Sequence, residues 1–404
     1  MFDMKEVHEE GAGLPVIKVI GLGGGGGNAV EYMVRSDVKG VDFVCANTDI
    51  QALNNLTVDT CIKLGSDGLG AGADPVKGME AAKQDIEEVK QAIKGADMLF
   101  IAAGMGGGTG TGSAPVVAQA AREMGILTVG IVSKPFRFER RDKLAEAGIK
   151  ELSECVDSLI TVPNEKLLKV LGRDFVLAKA FDYANEVLHG AVQGISELVT
   201  KPGLINVDFK DLRTVMSEHG VAMMGVGYAT GEDRAIKAVE KAIANPLLED
   251  VAVSGARGLL VNITSGLDFT LGEFNDVGDV IDTVASEDAK VIIGTSIDDS
   301  MSDEVRVTVV ATGLASSEVA RNLEVVKPKL NLRGVEAIKT EEKAQAEEKK
   351  SNTFELTQPE KKETKEKITE VVRPKMVVNG GVSSSVDSGS NYLDIPAFLR
   401  RQAD

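Results

Sequence analysis

The run "GLGGGGGN" at residues 21 to 28, set between the apolar "PVIKVI" and the helix-patterned "AVEYMV", restricts this chain more than any other stretch. It reads as a glycine loop joining a strand to a helix. Glycine has no Cβ and tolerates positive φ, so backbone N–H groups at the helix N-terminus can approach an anionic phosphate. A Walker A loop would end in Gly-Lys-Ser/Thr, but here Asn28 and Ala29 follow Gly27, so the loop is not of that kind. Gly21, Gly23 and Gly26 do satisfy G-x-G-x-x-G, and Asp49 ends the next strand. That keeps a nicotinamide-dependent oxidoreductase open as a rival.

A second glycine loop, "GMGGGTGTG" at residues 104 to 112, follows the strand-like "DMLFIAA" and opens another helix. One pyrophosphate does not need two such cradles in one domain. Two loops facing one crevice suit a nucleoside triphosphate, with Thr109 and Thr111 adding hydroxyl donors and helix dipoles replacing the missing lysine. A turn made only for close packing is the alternative. Six glycines cost chain entropy, and the sequence suggests little packing return for them.

Around these loops the texture alternates strand and helix from Val16 onward: "VIKVI", "VDFVCANT", "CIKLG", "DMLFIAA", "ILTVGIVS" and "SLITVP" are apolar strands. Between them lies, among others, the long amphipathic "VKGMEAAKQDIEEVKQAIKG", read as one helix. Continuous apolar strands separated by helices predict a parallel sheet covered on both faces. Phe181, Ala184, Leu188, Val192, Ile195 and Val199, spaced by three and four, predict one long connecting helix. After it a mixed α/β texture returns. The expected organisation is a flexible start (1–13), a nucleotide-binding domain (14–174), a central helix (175–202), a second α/β domain (203–315), a disordered linker (316–390) and a docking peptide (391–404). The linker mixes both charge signs at high density. The terminal "NYLDIPAFLRRQAD" gathers Tyr392, Leu393, Ile395, Phe398 and Leu399.

A net charge of −17 argues against nucleic acid as the main ligand. The three cysteines, Cys45, Cys61 and Cys155, are too few and scattered for a disulfide framework or a zinc site and read as reduced core residues. No protein metal site is expected. The acidic N-terminus lacks an apolar signal core, and no run reaches the roughly 18 apolar residues of a spanning helix. A cytoplasmic protein without direct membrane insertion is therefore expected.

The segments "GGGGGNAV", "NTDIQAL", "GAGADP", "AAGMGGGTGTG", "SKPF", "VPNEKLLKVLG" and "NVDFKDLRTVMS" together resemble the tubulin/FtsZ family of GTPases over residues 14 to 314, and the resemblance returns in "LDIPAFLRRQAD". It implies a tubulin-like α/β fold that binds GTP or GDP, with Mg²⁺ held mainly by phosphates and water. Gly24, Gly25, Gly26, Gly27 and Asn28 would line the phosphates and base, with Asn47, Ala73 and Pro135 beside them. Gly106, Gly107, Gly108, Thr109, Gly110, Thr111 and Gly112 would hold the β- and γ-phosphates. The loop Ala71 to Pro75 would sense the γ-phosphate, with Asp74 in place of the usual Asn. Glu139 would meet the ribose, Lys143 or Arg141 would supply a cation, Asn164 and Asn185 would read guanine, and Phe181 would stack on it or pack in the core.

The pocket offers no evident acid to orient water. Asn206, Asp208 and Asp211 in "INVDFKDL" are the candidates, and Asp208 is also placed to cap a helix. The resemblance implies that they act on the nucleotide of the next subunit in a head-to-tail homopolymer at the division site, with the C-terminal peptide docking membrane-tethering (FtsA-like) division proteins and regulators. A catalytically silent nucleotide-gated scaffold is the remaining rival.

Overall fold

The computed structural model describes residues 14–171, 175–201, 203–218, 220–245, 247–248 and 255–314. The expected N-terminal segment, linker and docking peptide lie outside them. In chain order the elements are β1 (Ile17–Leu22), α1 (Gly23–Arg35), β2 (Val41–Asn47), α2 (Ile50–Asn54), β3 (Thr60–Lys63), α3 (Pro75–Gln84), α4 (Ile86–Ile93), β4 (Met98–Gly104), α5 (Thr109–Glu123), β5 (Leu127–Lys134), α6 (Asp142–Cys155), β6 (Ser158–Pro163), α7 (Asn164–Leu171) and α8 (Leu177–Thr200). There follow α9 (Phe209–Met216), β7 (Val221–Thr230), α10 (Arg234–Ile243), β8 (Gly258–Ser265), α11 (Leu271–Val284), β9 (Lys290–Ile297) and β10 (Glu304–Leu314).

The strands form one sheet in the order β3-β2-β1-β4-β5-β6-β7-β10-β8-β9. The first six are parallel, and β10 runs antiparallel to both its neighbours. The join is narrow, since β6 meets β7 only through Leu159 with Val221 and Ile160 with Ala222. Strand order reverses between β1 and β4, and a crevice outside the carboxyl ends of strands at such a switch point is where open α/β sheets bind ligands.

Alternation along each strand divides its side chains between two cores. Ile17 and Val19 face the core shared with α1 and α8, while Ile20 and Leu22 face the one shared with α3 to α6. A third core packs α10 and α11 against β8 and β10. The long helix is α8, as the periodicity predicts. Its Leu188, Val192, Ile195 and Leu198 are buried, each stabilising the fold by roughly 1.5–3 kcal/mol. The same helix turns a polar residue, Glu197, toward the second half of the sheet, where its carboxylate accepts from Arg306, Thr264, Lys201 and Gln193.

Three expectations change. The amphipathic stretch from Val76 to Gly95 is two helices, broken at Asp85, whose carboxylate accepts the Gly65 N–H at 2.5 Å. The first glycine run is not a loop ahead of a helix: α1 already begins at Gly23. Cys45 is buried, but Cys61 lies exposed on the edge strand β3 and Cys155 is half-buried, and all three are free thiols.

Candidate functional site

Two helix N-termini meet at the switch point, and neither carries a side-chain cap. The N-terminal N–H groups of α1 and α5 are therefore left for a ligand or water, with the positive ends of both dipoles beside the carboxyl ends of β1 and β4. The glycines that build this arrangement fall into two kinds. A Cβ at Gly26 would lie 2.2 Å from the Ala102 carbonyl oxygen, one at Gly110 would lie 2.9 Å from that of Gly104, and one at Gly112 would lie 2.0 Å from that of Pro75. Gly25 approaches the Gly104 Cα and Gly27 the Leu56 side chain. These glycines let helices lie directly on strands and on one another. Beside Gly24 there is open space, and Gly107 has only one atom, at 4.0 Å, near the position of a Cβ. The expectation of little packing return in the second loop thus holds for Gly107 and not for its neighbours.

The two threonines are engaged within the protein. The Thr109 hydroxyl shares a buried hydrogen bond of 2.6 Å with that of Thr48, which ties α5 to the end of β2. The Thr111 hydroxyl accepts the Gly106 N–H at 2.8 Å and holds the turn in which Gly106 takes φ +97°. Asn47 is buried and accepts from the Asp49 N–H, and Asn28 is exposed on α1. Asp49, the ribose acid of the oxidoreductase reading, caps α2 by accepting from the N–H groups of Gln51 and Ala52.

On one flank of the second glycine loop, Ala71 and Asp74 press against Gly108, with Ala73 at φ +61° forming the turn. Opposite, the Arg141 Cβ lies 3.0 Å from the position of a Gly106 Cβ, and buried Pro135 packs beside it. Lys143 is exposed in the first turn of α6, and Arg141, which precedes that helix, is exposed as well. Glu139 closes a short turn, one carboxylate oxygen accepting the Phe136 N–H at 2.9 Å.

Beyond β5 and β6 lie the groups expected to meet a base. Asn164 is 4 % exposed, and its side-chain oxygen has no hydrogen-bond partner. An orphaned buried acceptor costs about 1–3 kcal/mol unless something donates to it. Phe181 on α8 is half-buried, its ring edge-on to that of buried Phe136 at 5.3 Å, so it packs against the core and retains exposed surface. Asn185 lies one helical turn further along α8.

The acidic loop is elsewhere. The Asn206 side chain accepts the Gly203 N–H, and Asp208 caps α9 by accepting the Asp211 N–H at 2.8 Å. Backbone bonding with Thr295 ties the loop to β9, and Asp211 is exposed in the first turn of α9. Two residues on, Arg213 donates to the Gly125 carbonyl, just before β5 begins, whereas the pocket borders the end of β5 at Pro135. Eight strand residues separate those ends by about 25 Å, and the 24 residues of α8 between Phe181's end and the acidic loop span about 36 Å. One chain does not bring Asp211 to its own pocket.

His189, on α8, packs edge-on against Tyr32 at 5.7 Å and is a packing residue. Burial holds its pKa below the ordinary value; nearby Arg306 adds to this and Glu197 opposes it. Among the described residues no group of three or more His, Cys, Asp or Glu side chains is placed to hold a metal, and no helix is long and apolar enough to cross a membrane.

Uncapped helix ends over a parallel sheet at a switch point, with a buried amide oxygen lacking a protein partner after β6, define a nucleotide-binding α/β protein. Residues 16–172 match the GTPase domain of the Tubulin/FtsZ family, and residues 220–315 match the C-terminal domain of the FtsZ family. The chain is 51% identical over 408 residues to the cell division protein FtsZ of Pseudomonas aeruginosa, covering 99% of this chain and 100% of that one. It is 50% identical to that of Coxiella burnetii, covering 99% of both. An empty FtsZ dimer from M. jannaschii superposes with a TM-score of 0.71 at 42% identity, over 75% of this chain and 89% of that one. CetZ2 of Haloferax volcanii, a GTPγS-bound protofilament, shares the fold at TM-score 0.64 and 21% identity, over 81% of this chain and 99% of that one. The chain belongs to the FtsZ family of tubulin-like GTPases, and the oxidoreductase reading is set aside.

Proposed function

We propose that this chain is a cell-division GTPase that assembles head to tail and hydrolyses GTP only where two copies meet. The observation that carries this is the separation of Asp211 from the pocket of its own chain, two sites at opposite ends of α8. In a head-to-tail contact the exposed acid of one copy meets the glycine cradle of another. There the Asp211 carboxylate orients a water and accepts its proton as the water attacks the γ-phosphorus, whose bond to the β–γ bridging oxygen breaks to release GDP and phosphate. Asn206 and Asp208 shape the loop that presents it, through their bonds to the Gly203 and Asp211 N–H groups. The α1 and α5 N-termini hold the phosphates, Gly24 and Gly107 leave them room, and Arg141 or Lys143 adds positive charge. Asn164 and Asn185 read guanine, whose N1–H and N2–H supply donors that adenine does not present at those positions.

Mg²⁺ would be held mainly by the phosphate oxygens of the bound nucleotide and by water rather than by protein side chains. When bound it would neutralise charge on those oxygens. Assembly as a homopolymer fits the dimeric and protofilament states named for the M. jannaschii and Haloferax proteins. The names of the bacterial relatives support action in cell division, and the protein acts from the cytoplasm at the division site. The terminal Ile395, Phe398 and Leu399 serve as apolar anchors for an FtsA-like tethering partner, and the charged linker supplies reach. Light scattering after adding GTP with Mg²⁺, compared with GDP and ATP, tests the reading. Scattering that rises with GTP alone and decays as phosphate is released is expected; equal scattering with all three overturns it.

A further inference from the structure

We propose that Thr295 is a positioning residue for hydrolysis: its hydroxyl fixes the acidic loop of one copy so that Asp211 meets the nucleotide of the next in register. The proposal rests on the shared-site reading above. β9 ends the strand order, so among the described residues its outer edge pairs with no further strand. The acidic loop lies along that edge. The Thr295 N–H donates to the Ile205 carbonyl at 3.0 Å, and the Ile205 N–H donates back to the Thr295 hydroxyl at 2.9 Å. A Cβ at Gly203 would lie 1.7 Å from the Thr295 carbonyl oxygen, so loop backbone rests directly on the strand there. One strand residue thus holds the loop through main chain and side chain together.

The remaining contacts shape the loop more than they tie it down. Asn206 and Asp208 bond to the Gly203 and Asp211 N–H groups, which are parts of the loop and of the helix it opens. Leu204 and Ile205 are exposed; Val207 is buried beside Gly294, where a Cβ would lie 2.6 Å from a Val207 methyl. Asp211 stands in the first turn of α9, whose Leu212, Val215 and Met216 are buried. Packing therefore fixes the body of that helix, while its first turn takes its direction from the loop that enters it. A displacement of about 1 Å at a reacting group costs up to about a hundredfold in rate. Thr295→Val keeps the main-chain bond to Ile205 and removes the hydroxyl, so the sheet stays closed and the loop is free to shift.

Steady-state GTP hydrolysis by the full chain tests this. In Thr295→Val turnover is expected to fall about tenfold, with GTP affinity by calorimetry and GTP-dependent light scattering unchanged, whereas Thr295→Ser stays within about twofold of native. Mixing locates the defect. A chain with Gly106 to Gly108 made bulky brings an intact acidic loop, so with Thr295→Val it should release more phosphate than the two give separately. Asp211→Ala brings only a pocket, and with Thr295→Val it should give no such gain. Native turnover in Thr295→Val, or Thr295→Ser as slow as Thr295→Val, overturns the proposal. So does a loss of scattering in step with turnover, which would make the hydroxyl an assembly contact, and so does a first mixture without gain. If Asp211→Ala mixed with the bulky-loop chain is itself silent while heterodimers form, the shared-site reading falls, and this proposal with it.

Discussion

The glycine pocket and the acidic loop are held in shape by different means. In the pocket, backbone lies on backbone: Gly26 against Ala102, Gly110 against Gly104 and Gly112 against Pro75 leave no room for a methyl group. Its helix ends stay uncapped, which leaves their N–H groups for a ligand. In the acidic loop, side chains satisfy their own backbone. Asn206 closes on Gly203 and Asp208 caps α9, so the loop is complete without a ligand except for the exposed carboxylate of Asp211. A region with unanswered donors binds; a region that answers its own donors presents one group to a neighbour.

The sharpest way to break this comparison is to remove that group. Asp211→Ala is expected to bind GTP normally and lose on the order of a hundredfold or more in turnover. A second variant, with Gly106 to Gly108 made bulky, should lose GTP binding while keeping Asp211. Mixed, the two should regain some phosphate release, and it should fade on dilution as the mixed contacts dissociate. A mixture as silent as its parts while heterodimers are shown to form would mean that the site is complete within one chain.

The packing glycines give the next largest effect. Gly112→Ala forces a methyl group onto the Pro75 carbonyl oxygen and should destabilise the fold by about 1–3 kcal/mol in urea unfolding, with the α3–α5 contact opened. Gly107→Ala has space, and should leave stability nearly unchanged while weakening GTP. If the two variants behave alike, the division between packing and crevice glycines fails.

Much of this was legible in the sequence, and the remainder has a common cause. Alternating apolar strands and helices announce the parallel sheet, the three-and-four spacing from Phe181 to Val199 announces α8, and the glycine runs mark the switch point. The break at Asp85 did not show, because a tertiary bond to Gly65, 20 residues earlier, outweighs an unbroken helical pattern. Nor did the packing role of Gly108, Gly110 and Gly112, since it depends on where α5 lies against α3, the loop before it and the ends of β1 and β4. Cys61 belongs to an apolar run, yet its strand is an edge, and edge position is a property of the whole sheet. The sequence offers Asn206 as a candidate for the neighbour's site and does not announce its bond to the Gly203 N–H, although an Asn three residues after a Gly in a turn is a signal for such a bond.

Two smaller effects sharpen the contrast. Asn164→Ala should narrow the preference for GTP over ATP, the loss of one buried base contact corresponding to about 1–3 kcal/mol, and competition binding measures it. Asp208→Ala should lower stability by about 1 kcal/mol through the lost cap, and Asp208→Asn should restore it. If Asp208→Asn recovers stability but not turnover, Asp208 contributes charge to the neighbour's site as well as shape to its own loop.

The smallest effect belongs to α8, which joins the two regions, and to His189 on it. Burial is the main cause of its lowered pKa, with Arg306 adding to it, so the folded protein favours the neutral ring. The unfolded chain takes up this proton at an ordinary value of about 6.5, and the folded protein does so only at lower pH. The contribution to stability is therefore full above that pH and is lost as pH falls through it toward the folded value. Tyr32 on α1 and Arg306 on β10 face the ring from opposite halves of the sheet, so it reports on whether α8 stays docked on both. Urea midpoints between pH 8 and pH 5 should fall on the acid side in the native protein and fall less steeply in His189→Gln, which has nothing to titrate. Equal slopes would mean that the imidazole charges without penalty, and hence that α8 is already loosened from one half while the protein is folded.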